Sequence, residues 1–168
     1  MIIATQSGIP VVAISGVKNS GKTTLLAHVI PLLKQKGLRV GVLKHDGHGF
    51  EPDREGTDSY RLSKAGSEVT VVFDSQRYML VAQRPDTPVE DILEIFSGVD
   101  ILLLEGFKNS AFQKIELIRS GVSRWPGLEH VIAICSDMHV EGESVPMFDL
   151  NDYEAIAEFL YLHTHMCK

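Results

Sequence analysis

Two cysteines in 168 residues, Cys135 inside an apolar run and Cys167 near the end, are too few and too far apart for a disulfide framework or a cysteine-based zinc site. That sparse usage fits a reducing cytosol, and a cytoplasmic location is expected. No apolar stretch approaches the roughly 20 residues of a membrane span, so no membrane partner is expected. The start, Met1 to Gln6, lacks the basic flank and long apolar core of an export signal. Positive charge is short as well: 16 Lys and Arg against 22 Asp and Glu give a formal net charge of −6. A chain of that sign repels a phosphate backbone, which argues against nucleic acid as a partner. Internal repeats, low-complexity tracts and linkers are also missing. One domain, residues 1–168, is therefore expected, long enough to bury a single core.

What the chain does have is a phosphate-binding loop. Gly16-Val17-Lys18-Asn19-Ser20-Gly21-Lys22-Thr23 fits G-x-x-x-x-G-K-[S/T], and Thr24 follows it directly. The glycines let backbone N–H groups wrap phosphates, Lys22 neutralises charge at the β and γ positions, and the Thr23 hydroxyl is a magnesium ligand. The apolar run Val11-Val12-Ala13-Ile14 before the loop reads as a buried strand, and the stretch after it as a helix. A helix starting there adds the positive end of its dipole.

Along the rest of the chain, Leu25, Leu26, Val29, Leu32 and Leu33 recur at helical spacing from Lys22 to Lys36, with Gly37 as the stop. Pro31 is expected to kink this helix. Leu38–Leu43 reads as a strand followed by a polar, glycine-rich loop from Lys44 to Phe50, and Thr57 caps a short helix to Ala65. Glu68–Phe73 and Tyr78–Ala82, joined by four residues, suggest a hairpin with exposed strand edges. Thr87-Pro88-Val89-Glu90 signals a helix start, with the helix expected to reach about Ser97. Further strands are expected at Asp100–Gly106, Lys114–Arg119 and Val131–Cys135, and a last helix from Asp152 to about His163. Strands alternating with helices predict an α/β three-layer fold of the P-loop NTPase type, with a mainly parallel central sheet and a β-hairpin extension. Ligands in such folds bind beyond the C-terminal strand ends.

Carboxylates at those ends are the candidates for metal and acid–base roles. Glu105 closes the apolar run Ile101–Leu104 and is placed either as a magnesium neighbour or as a base orienting water. Asp100 lies at the other end of that strand, roughly 17 Å away, and is not assigned to the site. Asp46 is the second candidate for the metal, and also for a catalytic base. Asp137, after the strand ending at Cys135, can accept from guanine N1–H and N2–H, which adenine lacks. His45 and His48 have no cysteine partner and are weak evidence for bound transition metal. His163 and His165 are expected to be solvated, and Lys108, Lys114, Arg119 and Arg124 to form a solvated basic face. Arg61 and Lys64 stand beside those four as contacts for a second anion.

GVKNSGKTT, KHDGHGFEPDREGTDSYRLSKAG and DILLLEGFK occur in the order and spacing of the molybdopterin-guanine dinucleotide biosynthesis accessory family called MobB, which this chain resembles from roughly Val11 to Asp152. The resemblance implies a GTP-binding protein with weak GTPase activity and bound Mg2+. It implies assistance to a MobA-type nucleotidyltransferase that attaches GMP to molybdopterin, and a homodimer. Carried over by position, Gly16, Gly21, Lys22, Thr23 and Thr24 match the phosphate loop, Asp46 and Glu105 the acidic positions near the metal, and Asp58, Arg61 and Lys64 the second motif. Some dimeric P-loop ATPases and GTPases carry a lysine directly after the first glycine, where this chain has Val17, so catalysis by that trans-acting lysine is not implied. Two other readings stay open: a small-molecule kinase with Asp46 as base, and a nucleotide-gated metallochaperone using His45 and His48.

Overall fold

A computed structural model describes residues 4–47 and 49–166, so the reading of His48 and Cys167 lies outside the described residues. The chain divides into two compact units, residues 1–45 with 93–168 and residues 46–92.

The larger unit is built on a six-stranded sheet of β1 (Val11–Ser15), β2 (Val40–Lys44), β5 (Ile101–Glu105), β6 (Lys114–Ile118), β7 (Val131–Ser136) and β8 (Met147–Asp149), in the order β2-β5-β1-β6-β7-β8. Every pairing in it is parallel. The loops after β1, β2, β5, β6 and β7 therefore leave from one edge. β1 and β5 are buried at every residue, which is why they read as continuous apolar runs rather than alternating ones.

Helices α1 (Lys22–Gln35) and α4 (Tyr153–Met166) cover one face of this sheet. Leu25, Leu26, Val29 and Leu33 of α1 join Ile156, Ala157 and Leu160 of α4 in one cluster with Val12, Ile14, Leu103, Ile115 and Leu117. α1 runs unbroken through Pro31, which sits on its exposed side. The alternate residues Val11, Ala13, Leu102 and Leu104 form the opposite face and are fully buried as well. Phe96 lies against Gly41, where an added β-carbon would come within 2.8 Å of the ring, so this position accepts only glycine without a shift of the aromatic side chain.

The smaller unit holds α2 (Asp58–Lys64) and the antiparallel hairpin β3 (Val69–Phe73) with β4 (Tyr78–Ala82). The Thr57 hydroxyl accepts from the Tyr60 amide and caps α2 as the sequence predicts. Val71, Phe73, Tyr78 and Leu80 of the hairpin are exposed.

Four expectations are corrected. α3 (Val89–Leu93) stops short of Ser97, because the Phe96 amide bonds Leu93 O and the Ser97 amide bonds Ile95 O, short-range turns in place of helical bonds. β8 was not expected; three residues after Pro146 carry too little pattern to be read as a strand. α4 extends past His163 to Met166. His163 itself is not solvated: it is 8% exposed, packs against Phe159 and pairs through Nε2 with Gln113 Oε1 at 2.7 Å.

Burial pushes the His163 imidazole below its ordinary acidity range. The unfolded chain then binds a proton that the folded one resists, so stability is present above about pH 6.5 and is lost as the pH falls below it. Urea unfolding is expected to show stability declining between about pH 7 and pH 5, with a smaller decline for His163→Gln. An unchanged slope in that variant would show that other groups set the dependence.

Candidate functional site

The parallel register determines which side chains can meet at the loop edge. Ile14 of β1 lies opposite Glu105 of β5, and Lys44 of β2 opposite the same Glu105, so β2 and β5 finish level and β1 one residue beyond them. The Gly106 amide bonds Ile14 O at 3.0 Å, and the Ser15 hydroxyl donates to Gly106 O, tying the starts of two loops together. Two backbone features then shape the loop from Gly16 to Thr23. Asn19 has φ 65° and Gly21 φ 98°, both left-handed, and Gly21 is the N-cap of α1 with no side chain to cap it. The first turn of α1 carries no acidic residue, so its partial positive charge is left for an anion.

Lys22 folds over this loop. Its Nζ donates to Val17 O at 2.6 Å and to Gly16 O at 3.3 Å. Burial lowers its proton affinity; Glu105 opposes the shift, while Lys108 and Lys44 add to it. The Thr23 hydroxyl donates to Glu105 Oε1 at 2.9 Å, and Lys44 Nζ stands 3.4 Å from the same oxygen. Glu105 is 9% exposed, so its carboxylate is nearly desolvated beside these partners. A hydroxyl and a carboxylate are hard oxygen donors of the kind magnesium takes. Among the described residues no group of three His, Cys, Asp or Glu side chains could hold a metal by itself. An ion on Thr23 and Glu105 would then share its remaining ligands with phosphates and water, as magnesium commonly does.

The other expected residues fall as follows. Val17 supplies the carbonyl that holds Lys22, Ser20 is the buried residue within the loop's middle, Lys18 and Asn19 are exposed, and Thr24 is exposed on α1. His45 packs edge-on against Phe107 at 5.8 Å, and its amide bonds Glu105 O. Asp46 follows it as the first residue of the smaller unit. Asp137, after β7, accepts from the Ser120 amide at 2.7 Å and the Ser120 hydroxyl at 3.0 Å. The amide bond above all holds this carboxyl below its usual range, and Arg119 contributes from 4.0 Å. Asp100 pairs with Arg39 before β5, at the far end of the strand as expected.

The basic face is corrected in part. Lys114 is fully buried, and its Nζ donates to Ser110 O and Phe112 O, pinning the segment after Glu105. Arg124 grips the buried Glu116 through two bonds of 3.0 and 2.7 Å and also reaches Glu143. Lys108 Nζ sits 3.5 Å above the centre of the Trp125 ring. Arg119 Nη1 lies 3.6 Å from where a β-carbon on Gly21 would be, which brings the Arg119–Asp137 pair beside the phosphate loop. Lys44 and Arg119 are the residues that reading by motif missed as members of this site. The detectable signal was position, since each falls at the C-terminal end of a strand of the parallel sheet.

The family description for molybdopterin guanine dinucleotide synthesis protein B, MobB, matches residues 11–137. The chain belongs to the MobB family. A molybdopterin-guanine dinucleotide biosynthesis adapter protein of Escherichia coli (strain K12) is 37% identical over 167 residues, spanning 94% of this chain and 95% of that protein. A probable adapter protein of the same kind from Bacillus subtilis (strain 168) is 33% identical, spanning 88% and 89%. Among solved structures, Bacillus subtilis MobB superposes with a TM-score of 0.74 at 30% identity, covering 92% of this chain and 98% of that one. A MobB homolog from Bacillus stearothermophilus gives 0.72 at 26%, covering 93% and 98%. Within the MobB match fall the phosphate loop, Lys44, Asp46, Glu105, Arg119 and Asp137.

Gly16 shows how tightly the loop is seated. A β-carbon there would stand 2.7 Å from Leu117 O, a backbone atom, and 2.8 Å from Ser20 Oγ. Gly16→Ala is expected to displace the loop and lower the denaturation midpoint by an amount corresponding to about 1–3 kcal/mol. A variant as stable as the parent would mean that the loop and β6 yield freely.

Proposed function

We propose that this chain is a GTP-binding accessory protein, at most a weak GTPase, that assists a MobA-type nucleotidyltransferase in attaching GMP to molybdopterin. The observation that carries this reading is the junction of Lys22, Thr23 and Glu105 at the mouth of the phosphate loop, with the Thr23–Glu105 contact at 2.9 Å. Membership of the MobB family, whose relatives are named as adapters of molybdopterin-guanine dinucleotide biosynthesis, supports the pathway. Magnesium held by Thr23 and Glu105 would neutralise charge on the β- and γ-phosphates. Lys22 leaves Val17 O for the phosphates, a stronger charge-assisted partner than a neutral carbonyl. Asp137, held by Ser120, keeps lone pairs for guanine N1–H and N2–H. Hydrolysis is slow in this account because Val17 stands where a trans-acting lysine would be, and no arginine finger has been assigned. The working form is a cytoplasmic homodimer, for which the exposed apolar residues of the hairpin are suitable surface.

Equilibrium titration with GTP, GDP and ATP in the presence of Mg2+ tests the reading. The parent chain is expected to bind GTP more tightly than ATP, and Lys22→Ala to weaken GTP by about tenfold or more and GDP by less. Asp137→Asn is expected to narrow the GTP-to-ATP ratio by about tenfold. Rapid phosphoryl transfer to an acceptor without any partner protein would instead establish the kinase reading.

A further inference from the structure

We propose that Lys44 is the residue by which this site distinguishes a nucleoside triphosphate from a diphosphate, exchanging Glu105 for the terminal phosphate. The inference rests on the nucleotide-binding reading above and concerns the same site.

Lys44 closes β2, and the parallel register holds it level with Glu105 on β5. Its Nζ contacts the very oxygen, Glu105 Oε1, that accepts the Thr23 hydroxyl. One carboxylate oxygen therefore separates Lys44 from the residue that follows Lys22. The motif assigns the region of Lys22 and Thr23 to the β- and γ-phosphates, so Lys44 borders the outer end of that region. The Lys44 side chain is 55% exposed against 11% for Glu105, so it can turn outward while the carboxylate stays buried. Such a half-exposed ion pair is worth little by itself, and a phosphate oxygen of higher charge competes for the ammonium on good terms.

Charge balance points the same way. Lys44 and Lys108 each act electrostatically on Lys22, and Glu105 acts on it with the opposite sign. Three cations against one carboxylate leave a surplus suited to a polyphosphate. A diphosphate ends short of Lys44, which then keeps Glu105 as its partner. Lys108 is held over Trp125 and lacks a contact of this kind with the metal-side carboxylate, so Lys44 is the lysine placed to report the third phosphate.

The test compares affinities for a non-hydrolysable GTP analogue and for GDP, with Mg2+, in the parent chain, Lys44→Met and Lys44→Arg. Lys44 is an exposed position, and a circular dichroism melt of each variant verifies that it folds. Lys44→Met is expected to lower the triphosphate-to-diphosphate affinity ratio about tenfold, the scale of one charge-assisted hydrogen bond, and Lys44→Arg to restore most of it. An unchanged ratio, or equal losses for both ligands, would overturn the proposal while leaving nucleotide binding intact. A parent chain that binds neither ligand would remove both readings. One that binds guanine and adenine triphosphates alike would end the base preference and leave the role of Lys44 standing.

Discussion

Parallel pairing of β2, β5 and β1 is the constraint on which the site depends. Because Lys44, Glu105 and Ile14 share one register level, the three loops that follow start from the same line, and a carboxylate at that line meets both a lysine from one side and the Thr23 hydroxyl from the other. A slip of one residue in any of these strands would turn its end residue to the opposite face. The register is held by the core, since β1 and β5 are buried along their whole length and pack on α1 and α4 through alternating residues. The meeting of Lys44, Thr23 and Glu105 and the packing of the core are thus consequences of the same apolar strands.

The two faces of the sheet solve different problems. Under α1 and α4 the contacts are apolar, as helices with one buried stripe require. On the other face, β6 places charge at defined points, its Lys114 and Glu116 alternating with Ile115 and Leu117 of the helix-side cluster. Lys114, fully buried, satisfies two carbonyls of the segment that follows Glu105, and Arg124 clamps Glu116. Such groups are costly to bury, and their worth lies in specifying one arrangement of loops that lack secondary structure of their own. The segment so positioned begins after Glu105 and carries Lys108, so the buried Lys114 fixes the loop that leaves the level of the Thr23–Glu105 contact.

Legibility from sequence followed the strength of the local pattern. β1, β5, β6 and β7 could be read to within a residue because buried parallel strands are short apolar runs with clear ends, and α1 because its leucines repeat at helical spacing. The phosphate loop and Glu105 were readable because motif and strand end coincide. What escaped was decided by particular contacts rather than by local pattern. His163 and Lys114 are polar residues whose burial depends on Gln113 and on carbonyls that no periodicity marks. Lys44 and Arg119 reach the site only through the strand order, with β2 beside β5 and β6 beside β1, which spacing alone does not specify. β8 is formed by pairing with β7 rather than by its own three residues.

The account holds that the phosphate loop serves the assembly of molybdopterin-guanine dinucleotide rather than a reaction of its own. The most direct measurement is the rate at which a MobA-type nucleotidyltransferase, supplied with molybdopterin and GTP, forms the dinucleotide with and without this chain. The parent protein is expected to raise that rate and Lys22→Ala to abolish most of the increase. Equal stimulation by the two proteins, or none by the parent, would contradict the account.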